Sequence, residues 1–105
     1  MQDNVFSKQA SEKFYIEADF SLVMTSGETV DLTNSSVTAK DKDGADKSST
    51  VLDSATKAVS SSDKGLVIRV QAGSVSESPY KLTFLLLTQQ GSTWELDVMM
   101  HLVDL

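Results

Sequence analysis

The 105-residue chain has no cysteine, one proline, one histidine and only five glycines. Without cysteine there is no disulfide framework, no thiolate nucleophile and no Cys-ligated zinc site. A single imidazole leaves no second histidine for a His-based metal site. Long apolar runs are missing as well. The longest, Phe84 to Leu87, falls far short of the roughly 20 residues that a membrane-crossing helix needs. Met1 to Ser11 has neither the basic start nor the apolar stretch of a secretory signal, so synthesis in a cytoplasm is expected, while later assembly into something that leaves the cell stays open. Basic residues are also in short supply: 15 acidic side chains against 9 basic ones give a formal charge of −6, which disfavours nucleic acid and anionic membranes as partners.

What remains suits one small domain. A chain of this length buries about 65% of its unfolded surface, enough for a single two-layer core and too little for a second. Serine (16) and threonine (9) make up nearly a quarter of the residues, and they alternate with apolar ones rather than forming polar tracts. Residues 1–11 lack periodicity and read as a flexible N-terminal arm, leaving 12–105 as the domain. From Phe14 the period is two. Phe14, Ile16, Ala18 and Phe20 alternate with Tyr15, Glu17, Asp19 and Ser21, the pattern of a half-buried strand. Val30 and Leu32, then Val37 and Ala39, continue an inward pattern, and Asp41 to Asp46 (DKDGAD) is a loop tip by composition. A short strand is expected over Ser48–Leu52 and another near Lys57–Ser60, although Asp53 to Ser62 is open to several readings.

The C-terminal part is clearer. Leu66, Ile68, Val70 and Ala72 share one face of a strand bounded by Gly65 and Gly73. Pro79 stands where the next run begins, a position at which its missing donor costs least. Tyr80–Thr88 and Thr93–Val103 then form a long antiparallel hairpin around Gln89-Gln90-Gly91-Ser92. Strands every 10–15 residues without helical periodicity predict an all-β antiparallel sandwich of about seven strands, immunoglobulin-like or fibronectin-like, ending in that hairpin.

Chemistry-bearing constellations are few. Asp41, Asp43 and Asp46 fall within six residues, but their spacing does not match an EF-hand, and loop tips collect Asp and Gly for backbone reasons. His101 has serines and aspartates all along the chain to choose from and no nucleophile-elbow motif beside any of them, so no catalytic set is expected. Gly65 and Gly73 flank a strand with no helix behind them, unlike a phosphate cradle. No cofactor is expected either. The sharpest candidate is the outer face of the hairpin. Leu85 and Leu87 on one strand and Met99, His101 and Val103 on the other make it less polar than a solvated face should be. Either the rest of the domain or the N-terminal arm covers these residues, or they form a subunit or assembly interface.

The order of motifs from Phe14 to Leu105 resembles a group of small proteins encoded among the virion structural genes of tailed phages and prophages. The matching segments are Asp19-Phe20-Ser21, Gly27-Glu28-Thr29-Val30, the strand Leu66–Ala72 leading into Gly73, Tyr80-Lys81-Leu82-Thr83, and Thr88-Gln89-Gln90-Gly91 returning through Glu95. Phe20 stands where that family usually has Trp, and Ser74 where it has a second Gly. The resemblance implies an immunoglobulin-like sandwich and a non-enzymatic role in a phage particle or its assembly, near the head–tail region. Its partners would be other virion proteins or further copies of itself. The alternative is an adhesin-like or carbohydrate-binding module using the loops at one end, although two Tyr and one Trp are a thin platform for sugars.

Overall fold

The computed structural model describes residues 4–104 and is an all-β sandwich. Its strands are β1 (Asn4–Lys8), β2 (Phe14–Asp19), β3 (Ser36–Lys40), β4 (Leu52–Val59), β5 (Gly65–Val70), β6 (Tyr80–Leu87) and β7 (Thr93–Leu102). One sheet has the order β1-β7-β6-β3 and the other β2-β5-β4. All pairs are antiparallel except β1 with β7, which run parallel from Asn4 beside Val98 to Lys8 beside Leu102. The orders β2-β5-β4 and β7-β6-β3 are those that immunoglobulin domains give their B-E-D and G-F-C strands. Here β1 joins the sheet of the last two strands, whereas constant-type domains place their first strand in the other sheet.

Alternation builds the core. From β6 come Tyr80, Leu82, Phe84 and Leu86, all at most 1% exposed, and they meet Ala18, Leu66, Ile68 and Val70 from the opposite sheet. Met100 and Leu102 extend the buried set along β7, while Trp94, Leu96 and Val98 pack against it half-buried. Tyr80 also ties a corner. Its hydroxyl accepts from the Ser74 amide (2.9 Å) and donates to Glu77 Oε1 (2.7 Å), whose other oxygen meets Lys47 Nζ at 3.1 Å. Burial, with the Glu77 hydrogen bond adding to it, pushes the Tyr80 phenol up to about 12. Hydrogen bonds from Tyr80 and then Lys47 hold the Glu77 carboxyl below its ordinary range. A tyrosine at the start of the sixth strand that bonds backbone a few residues upstream is the tyrosine-corner geometry of immunoglobulin-type sandwiches.

Three expectations are corrected. The arm over residues 1–11 is not an arm along Asn4–Lys8, which forms β1; residues 1–3 of it lie outside the described range. The strand was hidden because its inward positions are Asn4, Phe6 and Lys8, so only one of the three is apolar. Lys8 is 1% exposed, yet its stem runs beside Leu102 and its ammonium donates to the carbonyls of Gln9 (2.7 Å) and Ala10 (3.2 Å). Burial lowers its pKa, with Glu12 acting in the opposite direction. Ser48–Val51 is a single helical turn, not a strand. Val51 and Leu52 are both buried, and consecutive strand residues would face opposite ways. The strand near Lys57–Ser60 is longer than expected, beginning at Leu52, with a register shift between Asp53 and Ala58 that broke its alternation. The Val30 region contributes only an isolated bridge to Thr88.

Candidate functional site

The five candidate interface residues share the outer face of the four-stranded sheet or its continuation, and all are half-buried. They do not form one patch. Leu85 lies between Ser36 on β3 and Glu95 on β7, and Leu87 lies opposite Thr93. Met99 sits between Lys81 and Val5, and His101 beside Ser7. Val103 lies past the end of β7, lining a shallow hollow with Gln9, Ala10, Ser11 and Val75. A polar row divides the two groups: Thr83 Oγ1 donates to Asp97 Oδ1 (2.9 Å), and Lys81 Nζ stands 3.6 Å from Asp97 Oδ2. Leu85 and Lys81 are four residues apart on one strand, which separates the groups by roughly 13 Å. Met99 instead gains an apolar neighbour invisible to a reading without β1: Val5, 57% exposed.

The more open region is the side of the sandwich where β1 ends one sheet and β2 ends the other. Between them runs a groove of about 610 Å³, lined by Val5, Phe6, Phe14, Ile16, Leu96 and Val98 among others, with Phe84 also contributing. The rings of Phe6 and Phe14 meet edge to face at 5.8 Å across it. Glu17 and Asn4 add the polar rim. Outside the groove, Tyr15 projects from β2 with 60% of its surface exposed, beside Arg69 of β5, which in turn pairs with Asp53 at 2.6 Å. Groove, unpaired strand edges and exposed apolar side chains thus occur together on one side of the domain. Such a combination receives an extended chain or a second sheet better than it receives a small polar molecule.

The loop motifs turn out to be structural. Asp41 Oδ1 accepts from the amides of Asp43 and Ala45, each at 2.9 Å, and Asp46 Oδ1 accepts from the Ser48 amide (2.9 Å) and hydroxyl (2.6 Å). The DKDGAD tip is therefore a turn fastened by its own carboxylates. Among the described residues, no group of three His, Asp or Glu side chains is placed to hold a metal ion. Gly27-Glu28-Thr29 and Thr88-Gln89-Gln90, some 60 positions apart in the chain, are bound to each other. Glu28 Oε2 accepts from Ser92 Oγ (2.5 Å) and Thr88 Oγ1 (3.2 Å), and the Thr29 amide donates to Gln90 Oε1 (2.9 Å). The Ser92 hydroxyl, and after it the Thr25 amide, hold the Glu28 carboxyl below its ordinary range. These contacts pin the β2–β3 loop to the hairpin tip. Two apolar residues of that loop escape: Met24 and Phe20 are buried, whereas Leu22 and Val23 between them are exposed, Leu22 to 99%.

No family model matches this sequence, and no curated protein matches it. Among the described residues, no helix is long and apolar enough to cross a membrane.

Proposed function

We propose that this chain is a non-catalytic structural or assembly module that acts through protein–protein contacts, and that a phage or prophage particle is its setting. The observation that carries the contact role is the open side of the sandwich, where the β1 and β2 edges flank an apolar groove beside Tyr15 and Val5. Asp41 and Asp46 at the DKDGAD tip accept from backbone amides, and Glu28 joins the β2–β3 loop to the hairpin tip, so these carboxylates serve the fold. The strand order and the Tyr80 corner support an immunoglobulin-like origin for the sandwich. The phage setting rests on the sequence resemblance, whose motifs at 27–30 and 88–91 serve the fold by binding each other.

The reading is tested in cells that carry the gene and produce particles. The chain is expected to co-purify with the particles at a fixed copy number, and its deletion is expected to lower the yield of complete ones. Particles that lack the chain, produced in unchanged yield after deletion, would overturn the phage setting.

A further inference from the structure

The outward edge of β2 carries the donors, acceptors and charges of a self-complementary strand. The Phe20 amide donates to the Lys64 carbonyl at 2.8 Å, continuing the β2–β5 ladder. Along β2 the even-numbered residues therefore turn their main-chain groups toward β5, while Tyr15, Glu17 and Asp19 turn theirs away from it. We infer that two copies of the chain pair through β2, antiparallel, with Ile16 opposite its own counterpart, giving a continuous six-stranded sheet β4-β5-β2-β2-β5-β4 across a two-fold axis.

Three features favour this register. It sets Tyr15 opposite the second copy's Glu17 as a mutually hydrogen-bonded pair, using the free main-chain groups of both. It sets Lys13 opposite the second copy's Asp19, so each end of the junction carries a pair of opposite charges. On the inner face it brings Phe14 against Ala18 and Ile16 against Ile16, extending the apolar wall of the groove into the second copy. A slip of two residues in one direction would instead place Glu17 against Glu17, which like charges oppose, and in the other direction it would overlap only residues 14–16 of the two strands. The β4 and β1 edges are less suited. The ladder of β4 shifts register between Asp53 and Ala58, and Lys57 crosses from it to the Ser35 carbonyl at 2.6 Å. In β1 the one charged side chain, Lys8, is buried on the carbonyls of Gln9 and Ala10. A single-strand junction belongs at the small, reversible end of interface sizes.

This inference deepens the contact role proposed above, and it can fail while particle association stands, because association is read in particles and pairing in the purified chain. Sedimentation of the full chain up to about 1 mM is expected to show reversible growth toward twice the 11.4 kDa monomer, with a dissociation constant in the micromolar range. Hydrogen exchange at the Tyr15 and Glu17 amides is expected to slow as concentration rises, while that of Ile16 is already slow. Lys13→Glu and Asp19→Lys should each weaken pairing about tenfold or more, since each sets two like charges face to face. Mixing the two variants should restore pairing, because every cross-copy pair is then opposite in sign. Restoration on mixing also shows that both variants are folded. A chain that stays monomeric throughout the range overturns the inference. So does a dimer whose Tyr15 and Glu17 amides gain no protection, or one that mixing fails to rescue.

Discussion

Replacing Leu82 by alanine is expected to cost about 3 kcal/mol of stability, and the same replacement at Leu85, three residues along the same strand, less than about 1 kcal/mol. Leu82 is fully buried, between Ala39 of β3 and Val98 of β7, and faces the β2-β5-β4 sheet across the core. Truncation there removes transfer energy and leaves a void that neighbours at native packing density fill only in part. Leu85 points to the other face, between Ser36 and Glu95, where water replaces the lost methyls. For a domain of this size the Leu82 variant should melt roughly 12–24 °C lower. Thermal unfolding of both variants checks the contrast. Equal losses would mean that the outer face of the hairpin is as enclosed as the inner one, as the alternative of a covered face required.

Gly65→Ala is expected to be comparably damaging, about 3 kcal/mol, for a different reason. Gly65 opens β5 opposite Asp19, and a side-chain carbon there would collide with the Ala18 carbonyl oxygen and crowd Ser60 Oγ at 3.1 Å. The Ala18 oxygen belongs to backbone, so no rotamer change relieves the collision; β2 and β5 have to separate. The bonds at risk are those bracketing the glycine, Phe20 amide to Lys64 carbonyl (2.8 Å) and Ser60 amide to Gly65 carbonyl (3.0 Å). Gly44→Ala is the useful comparison. Gly44 has a φ of +85° and open space around it, so only the conformational cost of about 1 kcal/mol applies. Hydrogen exchange should show faster exchange at the Phe20 and Ser60 amides of the Gly65 variant and no change there in the Gly44 variant. A Gly65 variant no less stable than the Gly44 one would contradict the close approach of the two strands.

How much of this was legible in the sequence depended on whether a strand had one wet face and one dry one. The β6–β7 hairpin did, with Tyr80, Leu82, Phe84 and Leu86 set against Trp94, Leu96, Val98 and Met100, and its span was readable to within a residue at each end. β2 and β5 were readable for the same reason. β1 was not, since a lysine holds an inward position and its parallel partner lies more than 90 residues away. β4 lost its alternation to the register shift. The candidate surface suffered accordingly. Alternation placed Leu85, Leu87, Met99 and His101 on the outer face, but without the register it could not show that Thr83 and Asp97 divide them. The groove was out of reach, because one of its two walls is β1, and the signal available was the apolar pair Val5-Phe6 within a polar segment.

The central claim, that the chain makes its contacts through the open side between β1 and β2, is tested most directly by photo-crosslinking from that side in particle-forming cells. A photoreactive phenylalanine analogue is placed at Tyr15, beside the groove, or at Ser54, on the irregular edge of β4. The account predicts a discrete crosslinked product of higher mass from position 15 and none from position 54. Crosslinks from position 54 with none from position 15 would contradict it.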